Sequence, residues 1–183
     1  MQKVEKFLNT KLIPILDKFT SNKYLSSIRA GMVATVPFTI TGSIFMIICY
    51  FPLGGWDKFI EPYVPLFSIP VNATFGVLGI IVTFSIAYDF AKRNKMDAVT
   101  NALVAAIAFM LISVDPETGA LDMDKLGVQG LFTGIIIAFV AVFVQKFLNE
   151  KNLVIRLPES VPDIVIESFA SLIPLIVLVV LLW

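Results

Sequence analysis

Leu126-Gly-Val-Gln-Gly-Leu-Phe-Thr-Gly-Ile-Ile-Ile-Ala-Phe-Val-Ala-Val-Phe-Val-Gln145 runs for twenty residues without a charged side chain. As a helix it spans about 30 Å, the thickness of a bilayer's hydrocarbon core. Four more charge-free apolar stretches share the chain, at 30–56, 62–88, 98–114 and 168–183. Only 15% of the 183 residues are charged, against about 25% in a soluble domain. The reading is an all-α, polytopic membrane protein with five transmembrane helices, near 31–51, 71–91, 97–114, 126–148 and from 163 onward.

Cation placement gives the orientation. Lys3, Lys6, Lys11, Lys18, Lys23 and Arg29 precede the first span. Lys92, Arg93 and Lys95 follow the second, and Lys146, Lys151 and Arg156 follow the fourth. The opposite loops hold only Lys58 and Lys125. Cytoplasmic loops carry the Lys/Arg excess, so the N-terminus is expected in the cytoplasm and Trp183 near the outer face. The six-cation leader and the 27-residue run after it do not suit a secretory signal, whose apolar core is about 7–15 residues.

Composition removes several classes of chemistry. The formal net charge is zero, so no global field attracts nucleic acid. There is no His, and Cys49 is the single cysteine. The commonest general base, the commonest metal ligand and any internal disulfide are absent. No catalytic residue, metal or cofactor is expected from this chain.

Residues 1–29 form a leading segment of their own, and 30–183 the five-span domain. Val4, Leu8, Leu12, Ile15 and Phe19 make one stripe among lysines over residues 1–25. That is either an amphipathic helix lying on the bilayer surface or a partner-facing helix. The proline-rich stretch 52–70 reads as an outer loop with short or re-entrant pieces, carrying Trp56 and Tyr63 at headgroup level. Asp115-Pro-Glu-Thr-Gly119 makes an acidic turn.

Gly130 and Gly134 stand at Gly-x-x-x-Gly spacing on the fourth span, which suits close packing with another span or another subunit; Gly76 and Gly79 carry the same signal more weakly. Asp89 sits one turn from a cytoplasmic helix end near Arg93 and reads as an end-of-helix ion pair. Asp163 and Glu167 share one face at the start of the fifth span and either stay in the wet interface or line a polar path with Asn101. In Arg156-Leu-Pro-Glu-Ser-Val-Pro-Asp163 the prolines prevent a regular helix. Arg156, Pro158, Glu159 and Pro162 are read as a structural or gating motif, and Ser160 as a cap for the helix after it.

The run from Ile155 through Arg156-Leu-Pro-Glu-Ser-Val-Pro-Asp to Pro174 resembles a signature of the lactose/cellobiose family of enzyme IIC permeases, of the bacterial phosphoenolpyruvate-dependent sugar phosphotransferase system. Tyr24-Leu-Ser-Ser-Ile-Arg-Ala-Gly-Met32 and Pro37-Phe-Thr-Ile-Thr-Gly-Ser-Ile-Phe45 resemble the same family's opening region. The resemblance implies a plasma-membrane permease that translocates a disaccharide such as cellobiose, lactose or chitobiose and passes it to an enzyme IIB partner for phosphorylation. It implies a homodimer whose first five spans form the dimerisation scaffold, with sugar-contacting His and Glu residues in a second half beyond the stretch at hand. The alternative is a membrane protein that does not transport and instead binds or stabilises a permease complex.

Overall fold

The computed structural model describes residues 22–153, 158 and 161–183, with the backbone alone at 163, 164, 167 and 168. Residues 1–21, which carry most of the expected surface helix, lie outside the described residues. The rest is helical, apart from turns and one antiparallel bridge between Val114 and Leu121.

Two long broken helices come first. α1 (Lys23–Ala34) starts at Asn22, whose side chain accepts from the Tyr24 N–H at 2.9 Å. It stops at Thr35 because Pro37 has no N–H to continue the ladder, and α2 (Val36–Cys49) resumes with that proline in its first turn. After Pro52-Leu-Gly-Gly, α3 (Trp56–Ile60) and a 3-10 turn (Glu61–Tyr63) lead into α4 (Val64–Phe75) and α5 (Leu78–Arg93). The expected outer loop is thus helical from Trp56 onward. Pro62 and Pro65 fall in first turns, where a missing N–H costs nothing, and only Pro70 sits inside a helix. The first expected span is too short at its charged end and the second at its outer end, and residues 23–29 belong to α1.

These two units run antiparallel in register. The Lys23 ammonium donates to Asn94 Oδ1 at 2.8 Å, Gly31 lies against Ile86, and Gly42 lies against Thr74 and Phe75. Trp56–Arg93 is 38 residues long, about 57 Å of helix against a hydrocarbon core of about 30 Å. α2 and α4 therefore pair beyond the point where the other helices join, and Ile40, Ile44, Ile47, Leu66 and Ile69 stay exposed.

α6 (Ala98–Ile112), capped by Asp97, returns from the charged end. A turn closed by Asp115 N–H to Ala120 O (2.8 Å) leads to α7 (Met123–Leu126) and a 3-10 turn (Val128–Gly130). α8 (Leu131–Glu150) runs back, and α9 (Asp163–Ala170) and α10 (Leu172–Leu182) follow, broken at Ser171. Lys23–Cys49, Trp56–Arg93 and Val128–Glu150 are long and apolar enough to cross a membrane, while Ala98–Ile112 and Leu172–Leu182 are shorter apolar helices.

The core lies where α1, α5, α6, α8 and α10 meet. Ala87, Ala91, Ala102, Ala105, Ala138 and Ala141 are fully buried there with Ile86, Phe90 and Leu178. In lipid, small residues are what let helix backbones approach, since apolar burial alone gives little drive between spans. Tyr24 closes the charged end over Phe90, Phe139 and Phe143.

Candidate functional site

The end of the bundle that collects the cations carries its polar chemistry. Ser27, fully buried on α1, places its hydroxyl 2.7 Å from Asp89 Oδ2 on α5. Arg93, one turn on, donates from Nε to the same carboxylate. Asp89 is therefore an ion-paired residue that also receives a neighbouring helix.

Beside this tie a cavity of about 370 Å³ opens between the start of α6, the end of α8 and the α9–α10 break. Asn101 and Gln145 line it, only 4% and 3% exposed. Asn101 Nδ2 donates to Asp97 O at 2.7 Å, which fixes the amide and leaves Oδ1 with no partner among the described residues. Gln145 Nε2 has none either. Each unmade buried hydrogen bond costs about 1–3 kcal/mol, so the bundle holds two amides at a cost that packing does not return. Three of the cavity's four charged side chains have partners among the described residues. Asp97 accepts the Thr100 N–H as helix cap, and the Lys146 ammonium lies 3.8 Å from Glu150.

The sequence reading named Asn101 and passed over Gln145. A signal for Gln145 was present: Gly134, Ile137, Ala138, Ala141, Val142, Gln145 and Leu148 form the buried stripe of α8, and an amide on that stripe must face the core. The Glu167 side chain, and Arg156, Glu159 and Ser160, lie outside the described residues. Pro158 and Pro162 are exposed, and Pro162 O accepts the Val165 N–H at 2.9 Å at the start of α9.

Gly130 ends the 3-10 turn before α8 and lies against Lys125 O and the Phe109 ring. Gly134, on α8 itself, faces Thr83 Oγ1 and Gly79 O of α5. A Cβ added at Gly79 would lie 2.6 Å from Leu126 O. These glycines meet other segments of their own chain. Away from the bundle, Asp122 caps α7. Desolvation pushes its carboxyl up, but the Lys125 ammonium and the Lys125 and Asp124 N–H groups hold it below the usual carboxylate range.

Three apolar helices long enough to cross a membrane, with further short apolar helices packed against them, define an integral membrane protein. The chain belongs to the phosphotransferase system EIIC family, whose model matches residues 29–183. It is 29% identical to the cellobiose-specific EIIC component of Geobacillus stearothermophilus, covering 100% of this chain and 45% of the relative. It is 31% identical to the lichenan permease IIC component of Bacillus subtilis (strain 168), over 100% and 44%. The lactose-specific EIICB component of Staphylococcus epidermidis is 29% identical, over 93% of this chain and 31% of the relative. Among solved structures it is similar to the transporter ChbC, the IIC component from the N,N'-diacetylchitobiose-specific phosphotransferase system. The TM-score is 0.85 at 33% identity, over 97% of this chain and 45% of that one. The chain thus spans less than half the length of these relatives.

Proposed function

We propose that this chain supplies the N-terminal, five-crossing half of a sugar permease that delivers a β-linked disaccharide to an enzyme IIB partner. The observation that carries the reading is the whole-chain similarity to IIC components named for cellobiose and N,N'-diacetylchitobiose. A lactose-specific relative named as an EIICB component supports the IIB partner. The collection of Lys23, Arg93, Lys95 and Lys146 at one end of the bundle supports a cytoplasmic N-terminus. With that orientation α6 and α10, each paired with its flanking turns, complete five crossings. The exposed apolar faces of α2 and α4 suit the scaffold role, since a second copy and lipid can share them. The Arg156, Pro158, Glu159 and Pro162 motif is read from its sequence as a structural or gating element between α8 and α9.

The test is uptake of labelled cellobiose, lactose and N,N'-diacetylchitobiose by cells that carry the gene and lack other permeases for these sugars. Phosphoenolpyruvate-dependent accumulation of at least one is expected. Protein in the membrane with no accumulation of any would sink the transport reading. Accumulation only when another permease is restored would favour a stabilising role instead. For topology, Glu117→Cys should react with an impermeant maleimide in intact cells, and Lys151→Cys only after permeabilisation. The reverse pattern overturns the orientation.

A further inference from the structure

We infer that the cavity between α6, α8 and the α9–α10 break is a binding site for a neutral hydroxyl-bearing ligand, a sugar or polyol alcohol, recognised by Asn101 and Gln145. The first argument is complementarity. Asn101 Oδ1 lacks a donor and Gln145 Nε2 lacks an acceptor, both among the described residues. A hydroxyl satisfies both needs at once. A carboxylate or a fully ionised phosphate has no proton for Asn101, and an ammonium has no lone pair for Gln145.

The second argument is charge. Lys95 and Lys146 on the wall are matched by Asp97 and Glu150, and Asp97 and Lys146 already have partners. The wall therefore carries no net charge that would favour an ion over a neutral ligand. The third is space. About 370 Å³ is room for about twelve waters at 30 Å³ each, far more than one bridging water needs. The fourth is the backbone. α10 begins at the Ser171 break with no side-chain cap and with Pro174 in its first turn. Broken helices flank transporter sites.

The sugar class rests on the permease reading above, and it adds a hydroxyl contact at the cytoplasm-facing end of the first half. A thiol probe tests it. Thr100 lines the cavity, so Thr100→Cys in a Cys49→Ala background is alkylated with and without cellobiose, glycerol or inorganic phosphate. At a cellobiose concentration of about twice the Kd, alkylation should slow about threefold. Phosphate should not slow it. Gln145→Met and Asn101→Leu, which keep side-chain bulk, should each abolish the protection while leaving the sugar-free rate unchanged.

No slowing by cellobiose or glycerol means that the cavity holds water only and overturns the proposal. Protection that persists in both variants, or that phosphate gives equally, also overturns it. If either variant fails to elute as the parent does, saturation-transfer NMR on the unsubstituted chain decides by whether cellobiose protons receive magnetisation. Uptake without protection would remove this site and keep the permease reading; protection without uptake would do the reverse.

Discussion

The Ser27 hydroxyl reaches Asp89 Oδ2 at 2.7 Å across 62 residues of sequence, and it does so with no exposure of Ser27 to solvent. This contact, with Lys23 to Asn94, ties the charged end of α1 to that of α5. A hydrogen bond to an ionised group contributes about 1.5–3 kcal/mol. Ser27→Ala should lower the thermal midpoint in detergent by a loss of about that size. Asp89→Asn keeps an acceptor, now a neutral one whose hydrogen bond contributes about 0.5–1.5 kcal/mol, and loses the exposed Arg93 pair, whose worth is about 0–1 kcal/mol. It should therefore cost less than Ser27→Ala. A larger loss from Asp89→Asn would mean that the ion pair, and not the buried hydroxyl, holds the helices.

Close approach of α8 and α5 is carried by Gly134 against Thr83. A methyl at Gly134 would fall on Thr83 Oγ1, and Thr83 is fully buried with its hydroxyl donating to Gly79 O at 2.7 Å. Overpacking of this kind costs about 1–3 kcal/mol, so Gly134→Ala should destabilise. Thr83→Ala removes the obstructing oxygen, and the double variant should lose less than the two singles together. Additive losses in the double-mutant cycle would place the strain elsewhere. Gly54→Ala is the control, since nothing lies within 4 Å of a Cβ there.

Much of this arrangement is legible in the sequence, and the part that is not has a physical cause. Charge-free runs identify the apolar helices because hydropathy is itself the membrane signal. The proline-rich segment misleads because a proline's meaning depends on helix position, and Pro62 and Pro65 fall where no N–H is needed. The Gly130 and Gly134 spacing marks close contact without naming the partner, and the same-chain neighbours Lys125 and Thr83 are visible only in three dimensions. Asn101 stands out in sequence as a polar residue among alanines, whereas Gln145 sits beside Lys146 near the end of its span, where a polar side chain is ordinary. Only the burial stripe of α8 separates the two.

The α7 cap should respond to acid. Asp122 Oδ1 accepts the Asp124 N–H at 3.0 Å, and Lys125 lies 3.3 Å from Oδ2. Its carboxyl is held below the usual range, so its folded pKa lies below its unfolded one. The stabilisation is complete above the unfolded value and is lost as pH falls through the folded value. Amide exchange at Asp124 and Lys125 should accelerate, relative to neighbouring helices, on acidification into that window. Asp122→Ala should raise exchange there at neutral pH and remove its acid dependence. An acid response that survives in the variant would assign it to another carboxylate.

Gln145 sets recognition against stability. Its amide lies on the apolar stripe of α8 with Nε2 unpartnered among the described residues, and an unmade buried hydrogen bond costs about 1–3 kcal/mol. A structural glutamine would be one whose replacement weakens the fold. A glutamine kept for a ligand is instead one whose replacement by an apolar side chain of similar bulk relieves the fold. Gln145→Met should therefore raise or leave unchanged the thermal midpoint, by up to about 1–3 kcal/mol in stability. Gln145→Ala should lower it by opening a cavity among Ala141, Val142 and Leu148. Adding cellobiose should raise the midpoint of the parent and not that of Gln145→Met. A destabilised Gln145→Met would show that the amide has a structural partner, and its role would then be to hold α8 in place.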